Sequence, residues 1–367
     1  MKKKVLLMGA SGSGKTSMRS LIFSNNPASL TARLGATIDV EQNHVRFLGD
    51  LILNLWDCGG QDAFMDSYLS TQQSTIFQHV GVMIYVFEVQ SRNMRKDLEY
   101  YRDCLAALRR YSPDAAVFLL VHKMDLVNEP RGQTLDRKTA ELQQASDGME
   151  VTVFGTSIYD ESLYKAWSRI VHTLIPNVAV LSKHLTTLAH ACNATEVILF
   201  ERTTFLVIAT SSPPPSPASI PLPVTPLFST PSSMHSNGLL TPTSTSHTRS
   251  NARYTPDDSD PHKLAPTRYE RTSELIKAFK HACSRVREDF RSLEMELAEF
   301  TAVLDELTKN TYVLIVVHDP TIGKFNVLRF TDHGLIGSIS IETAALKMNI
   351  RLARKKFEEL QGDSLVS

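Results

Sequence analysis

The stretch Lys2-Lys3-Lys4-Val5-Leu6-Leu7-Met8-Gly9-Ala10-Ser11-Gly12-Ser13-Gly14-Lys15-Thr16-Ser17 decides how this chain is read. Val5–Met8 is an apolar run that predicts a buried strand. G-x-x-x-x-G-K-T follows at once, from Gly9 to Thr16, and Met18 to Phe23 suits a helix. Strand, glycine-rich loop and helix in that order form the setting of a phosphate-binding P-loop. Gly9, Gly12 and Gly14 let the backbone N–H groups around Ser11 and Ser13 turn inward on a polyphosphate. The helix N-terminus at Lys15, Thr16 and Ser17 adds its positive dipole end. Lys15 is expected to reach the terminal phosphates, and the Thr16 hydroxyl to ligate Mg²⁺. The three lysines before the strand read as its solvated end.

Outward from this loop, short apolar runs alternate with helical segments up to about residue 176. The expected strands are Val5–Met8, Val40–Phe47, Leu51–Trp56, Val82–Phe87, Val117–His122 and Val151–Thr156. The expected helices are Ser17–Phe23, Met94–Arg110, Asp136–Ala145 and Asp160–Leu174. This βαβα rhythm predicts an α/β domain over 1–176, with a mostly parallel, doubly wound sheet covered on both faces.

Ile175-Pro176-Asn177 is a natural stop, and a smaller α+β domain is expected over 177–367. Its helices are expected at Val178–Cys192, Arg271–Arg287 and Thr343–Leu360, and its strands at Glu196–Glu201, Thr204–Thr210 and Tyr312–His318. From Leu293 to Leu304 the residue types favour helix, but the apolar positions repeat every second residue, and that period predicts strand. Ser211 to Asp260 holds 10 of the chain's 17 prolines and 19 Ser or Thr. That is the composition of a disordered insertion, expected at about 211–268.

Bulk properties narrow the function classes. Across 367 residues, Lys+Arg and Asp+Glu both number 39, so no broad nucleic-acid footprint is expected. Cys58, Cys104, Cys192 and Cys283 are far apart, which argues against a zinc site or disulfide framework and for a reducing, cytoplasmic compartment. No apolar run approaches the ~20 residues that span a bilayer. Neither a signal sequence nor a lipidation motif is read at the ends, so no direct membrane insertion is expected.

Leu53-Asn54-Leu55-Trp56-Asp57-Cys58-Gly59-Gly60-Gln61 is a strand ending in D-x-x-G-Q. Asp57 stands where a P-loop protein needs a carboxylate for Mg²⁺. The Gly60 N–H can meet a γ-phosphate, and Gln61 can orient an attacking water. Val121-His122-Lys123-Met124-Asp125 resembles N-K-x-D with His in place of Asn. Asp125 would accept the N1–H and N2 amino protons of guanine, with Lys123 along the base face. Thr156-Ser157-Ile158 matches the weaker S-A-K element, whose backbone approaches the guanine oxygen. Thr37, in Leu34-Gly35-Ala36-Thr37-Ile38-Asp39, is the candidate switch threonine that ligates Mg²⁺ and γ-phosphate.

Together these elements have the order and spacing of a small GTPase. The segments G-A-S-G-S-G-K-T-S, R-L-G-A-T-I-D-V-E, N-L-W-D-C-G-G-Q-D, V-H-K-M-D-L-V and T-S-I-Y-D-E-S-L-Y-K-A-W resemble the RagA/RagB side of the Rag GTPases, called Gtr proteins in fungi. L-I-P-N-V, L-F-E-R-T-T-F-L-V-I and N-I-R-L-A-R-K-K-F-E-E-L extend the likeness over most of the chain. Against that pattern a second insertion stands at about 323–341.

The resemblance implies a P-loop GTPase domain followed by a roadblock/longin-like domain that joins a RagC/RagD-like partner in a heterodimer. It implies GTP/GDP and Mg²⁺ as ligands, with Thr16, Thr37 and Asp57 at the metal. Gln61, Lys15 and Thr37 would act in slow hydrolysis, speeded by a GAP, and His122, Lys123, Asp125, Ser157 and Ile158 would sit at the base. It also implies a scaffold complex at the cytosolic face of the vacuolar or lysosomal membrane, amino-acid signalling to TOR complex 1, and nuclear residence beside the cytoplasmic one. Two alternatives stay open: an interaction scaffold whose nucleotide is structural, and a P-loop ATPase or small-molecule kinase. A single-turnover GTP assay separates the first, and base preference at Asp125 the second.

Overall fold

Two sheets organise the chain in the computed structural model, which describes residues 2–31, 33–48, 51–175, 178–211, 268–285, 290–296, 300–318 and 341–363. The insertions expected at about 211–268 and 323–341 lie, apart from their end residues, outside the described residues. The first sheet is six-stranded, in the order β2 (Val40–Leu48), β3 (Leu51–Cys58), β1 (Lys2–Gly9), β4 (Val80–Glu88), β5 (Ala116–His122) and β6 (Val151–Thr156). All neighbours run parallel except β2, which pairs antiparallel with β3 at one edge. The connecting helices are α1 (Lys15–Phe23), α2 (Ala28–Thr31), α3 (Asp62–Leu69), α4 (Gln73–Phe77), α5 (Met94–Tyr111), α6 (Arg131–Ala145) and α7 (Ser162–His172).

Parallel strands covered on both faces need near-continuous apolar runs, and successive residues then serve opposite cores. In β1, Val5 and Leu7 share one buried cluster with Met18 and Ile22 of α1 and Trp167 and Ile170 of α7. Leu6 and Met8 share the other with Tyr101, Cys104 and Leu108 of α5. The doubly wound sheet expected from the βαβα rhythm is thus realised. Helices α2, α3 and α4, of 4, 8 and 5 residues, escaped the sequence reading because so few turns carry little periodic signal.

Lys4 departs from its reading as a solvated strand end. Because β1 is central, Lys4 is half-buried. Its Nζ donates to the Thr75 carbonyl at 2.8 Å and lies 3.6 Å from the Trp56 ring centroid. Burial pulls its pKa down to about 8.

The second sheet is antiparallel, in the order β8 (Val207–Thr210), β7 (Glu196–Glu201), β11 (Thr311–His318), β10 (Phe300–Thr308) and β9 (Leu293–Glu296). Helices α8 (Val178–Ala191), α9 (Arg268–Arg285) and α10 (Ile341–Asp363) accompany it. The two-residue period was the right guide for 293–296 and 300–304, where β9 and β10 pair Leu293 with Leu304 and Met295 with Ala302. The cluster containing Trp167 continues into Leu185 of α8, Leu199 of β7, Ile315 of β11 and Phe357 of α10. Both sheets therefore share apolar core.

Lys277 of α9 adds a polar tie to α1. Its Nζ donates to the carbonyls of Leu21 at 2.6 Å and Ile22 at 3.0 Å, satisfying acceptors that the helix end leaves open. Burial draws its pKa down to about 7.

Candidate nucleotide-binding site

Apart from the Thr37 loop, which leads into β2, every predicted site motif sits at the C-terminal end of a strand of the first sheet or in the loop after it, where ligands bind in open α/β sheets. Gly9 closes β1 at φ 136°, and a Cβ there would lie 2.3 Å from the Val86 carbonyl oxygen of β4. Gly14 has φ 98°, and a Cβ there would lie 2.6 Å from Cδ2 of His122. Both positions therefore require glycine. Between them Ser11 and Gly12 are exposed, whereas Ser13 is buried with no hydroxyl partner among the described residues. Lys15 folds back over the loop, its Nζ donating to the carbonyls of Gly9 at 2.8 Å and Ala10 at 2.9 Å. Burial draws its pKa to about 8, with Asp57 acting the other way. Ser17 lines the cleft from the first turn of α1.

The three predicted metal residues converge. Thr16 Oγ1 lies 2.6 Å from Thr37 Oγ1 and donates to Asp57 Oδ2 at 2.9 Å. Asp57 is 0% exposed, and its Oδ1 has no hydrogen-bond partner among the described residues. Burial raises its carboxyl pKa, opposed by the Thr16 hydrogen bond and by Arg19. An oxygen-only set with one carboxylate and two hydroxyls fits Mg²⁺, which completes its octahedron with phosphate oxygens and water. The unpartnered Oδ1 is an acceptor such a hydrated ion would satisfy.

Gly60 holds the D-x-x-G-Q turn against the phosphate loop. Its carbonyl accepts the Ser11 N–H at 2.9 Å, and a Cβ on it would come within 2.4 Å of Gly9 O and Ser11 N. Gln61 then enters a cleft of about 260 Å³ together with Ser11, Lys15, Thr16 and Thr37. Its Oε1 is buried and has no partner among the described residues.

The base-reading corner is built from β5 and β6. Asp125 Oδ1 accepts the Ser157 hydroxyl at 2.6 Å, and among the described residues no hydrogen bond engages Oδ2. Ser157 is itself fixed: its N–H donates to Ser162 Oγ at 3.0 Å, and its Oγ accepts the Tyr159 N–H at 3.1 Å. Ile158 packs against the core shared with α1 and α7. Lys123 has a left-handed φ of 63° and pairs with Glu88 at 3.0 Å.

His122 is turned inward. It is 2% exposed, its Nδ1 lies 2.9 Å from Thr156 Oγ1, and its other ring edge abuts Gly14. The imidazole is thus a wedge between β6 and the phosphate loop. Burial, reinforced by Lys123, pushes its pKa down to about 4. Glu88 and Arg19 lie outside the motifs, and Thr156 stands in one without an assigned role. Glu88 stands opposite His122 across β4 and β5, a juxtaposition that sequence spacing does not announce.

The depressed His122 pKa gives a pH prediction. Between about pH 6.5 and 4 the unfolded chain binds a proton here that the folded one does not. Stability is therefore intact above the upper value and is lost as pH falls through the lower. The loss amounts to about 3 kcal/mol. His122→Asn is expected to remove this part of the acid slope. Denaturant titrations of both proteins across that range measure it, and parallel slopes would discard the assignment.

A P-loop at the centre of a mostly parallel sheet, with D-x-x-G-Q after β3 and H-K-M-D after β5, defines a G-protein domain. The family model described as the Gtr1/RagA G protein conserved region matches residues 4–229. The chain is 44% identical to the GTP-binding protein gtr1 of Schizosaccharomyces pombe, over 98% of this chain and 96% of that relative. It is 42% identical to the Ras-related GTP-binding protein A of Dictyostelium discoideum, over 98% of both. The GTP-binding protein GTR2 of Saccharomyces cerevisiae is 30% identical over 58% of this chain and 63% of that relative. The chain belongs to the Gtr1/RagA family of G proteins.

Proposed function

We propose that this chain is a guanine-nucleotide switch that binds GTP/GDP with Mg²⁺ and hydrolyses GTP slowly when unaided. The observation that carries the reading is the Thr16 hydroxyl, within hydrogen-bond distance of both Thr37 and Asp57. Thr37 comes from a loop, so its arrival at the metal corner can report the γ-phosphate. Bound Mg²⁺ would neutralise charge on the β- and γ-phosphates. Lys15 would bind the terminal phosphates, the Gly60 N–H would meet the γ-phosphate and Gln61 would hold the attacking water. Ser11 lines the cleft beside Gln61, and its side chain crowding the transition state would keep unaided turnover slow.

The reading extends to a heterodimer with a RagC/RagD-like GTPase, formed through residues 177–367, while 1–176 carry the nucleotide. Relatives named GTR2 and Ras-related GTP-binding protein C share sequence over 58% of this chain, which supports a partner of the same architecture. In the cell the dimer would sit on a scaffold complex at the cytosolic face of the vacuole or lysosome, with a nuclear pool beside it. It would answer to a GAP and signal amino-acid sufficiency to TOR complex 1. No described helix is long and apolar enough to cross a membrane, so the reading assigns recruitment to partners.

Affinity purification of the full chain from its own cells tests this. The expected result is a one-to-one complex with a RagC-like GTPase, carrying guanine nucleotide. Recovery of a nucleotide-free chain without such a partner would refute the reading. A complex whose bound GTP stays intact through a single-turnover assay would favour the nucleotide-stabilised scaffold.

A further inference from the structure

We propose that Arg19 is a positioning residue for the metal corner: one guanidinium fastens the Mg²⁺ carboxylate Asp57 to Glu41 on the strand that follows the Thr37 loop. The inference rests on the nucleotide reading above and assigns a role to a residue outside every recognised motif.

Arg19 stands one turn beyond Thr16 on α1, so both side chains serve one face of the helix. Its Nε donates to Asp57 Oδ2 at 3.0 Å, and its Nη2 to Glu41 Oε2 at 2.6 Å. Thr16 Oγ1 donates to the same Asp57 oxygen. Both donors therefore hold Oδ2, and Oδ1 is the oxygen without a partner among the described residues. The carboxylate is oriented by this pair of bonds, with one oxygen spoken for by protein and the other available to water on the ion.

The second bond acts on the sheet. Glu41 and Asp57 are direct cross-strand partners in the β2–β3 ladder. Like charges at such positions repel, and β2 is an edge strand with no second neighbour to hold its register. Arg19 turns the repulsion into a bridge. Because β2 starts at Val40, fastening Glu41 also fastens the exit of the loop that delivers Thr37 to Thr16. Lysine is a poorer bridge here, since its three donors radiate from one nitrogen, whereas the planar guanidinium reaches the two carboxylates through two separate nitrogens, Nε and Nη2. The geometry also explains the accessibility gradient, with side-chain exposures of 0% for Asp57, 14% for Arg19 and 47% for Glu41. The bridge runs from the buried metal corner to the sheet surface.

The test is release of a fluorescent GDP from the full chain, measured in excess Mg²⁺ and in excess EDTA. For Arg19→Met we expect release in Mg²⁺ about tenfold faster than wild type, as for loss of a residue that orients a metal ligand. In EDTA the two proteins should release at the same rate. Arg19→Lys and Glu41→Gln should give smaller changes in the same direction. Equal acceleration in Mg²⁺ and EDTA would mean a merely structural ion pair and overturn the proposal, as would no change at all. Should Arg19→Met fail to fold, the surface variant Glu41→Gln carries the same comparison. A wild-type chain that retains no GDP in Mg²⁺ would overturn the nucleotide reading itself, a different and recognisable outcome.

Discussion

Replacing Gln61 with Leu is expected to slow single-turnover GTP hydrolysis about 10²-fold or more while GTP stays bound. Gln61 caps the start of α3, where its carbonyl accepts the N–H groups of Phe64 and Met65, both at 3.0 Å. The preceding Gly60 is bonded to Ser11. The side chain therefore leaves a fixed backbone and enters the phosphate cleft with a buried, unpartnered Oε1. Leucine is one bond shorter, keeps comparable bulk and removes both amide functions, so the effect falls on water orientation rather than on folding. Because a GAP-supplied arginine can add ~10³ to 10⁵ in rate, the contrast should be widest with a GAP present. Hydrolysis of bound GTP, sampled over time with and without GAP, decides. Wild-type rates in the Gln61→Leu protein under GAP would remove Gln61 from the mechanism.

Asp125→Asn is expected to weaken GTP binding by at least about 10²-fold and to strengthen xanthosine triphosphate binding in exchange. A carboxylate accepts from both N1–H and the N2 amino group of guanine, whereas an amide presents a donor where an acceptor is required. Xanthine carries a carbonyl at the second position and restores the match. The structure makes this a clean substitution. Asp125 Oδ1 accepts the Ser157 hydroxyl, a bond that the amide oxygen of Asn can keep, so the loop after β6 should stay in place. Competition binding with the two triphosphates measures the exchange. Unchanged guanine preference would sink the guanine reading and favour another P-loop class.

Much of the site was legible because its chemistry is carried by contiguous motifs. Gly9 to Thr16, Asp57 to Gln61 and His122 to Asp125 each place their own functional groups within a few residues of a strand end. Once the strands were read from their apolar runs, the motifs had to meet at one sheet edge. The β9–β10 segment was legible for a related reason. Its apolar residues keep the period of a strand, and that outweighed the helical preference of Glu, Leu and Ala, although β10 proves covered on both faces.

His122 shows the limit. The motif placed it at the base corner without saying what an imidazole in the place of Asn would contact, and its ring lies inward between Thr156 and Gly14. The direction a side chain takes at a strand end depends on the neighbouring strand and on the loop across the sheet, neither of which is local. Lys4, read as a solvated strand end, fails for the same reason. It is drawn inward by a carbonyl from far along the chain, as is Lys277, which no sequence signal marked.

The sequence alone determined the order of strands and helices, the glycines of the phosphate loop and the identity of the groups offered to phosphate, metal and base. Those follow from local periodicity and from steric rules that act over a few residues. Tertiary structure alone decided which of these groups touch. Thr37 reaches Thr16, Gly60 locks onto Ser11 and Arg19 spans Asp57 and Glu41, because sheet register brings together residues remote in the chain. The opening Gly9–Ser17 stretch therefore names the ligand's phosphates, and the packing of β3, β5 and α1 around it makes a switch possible.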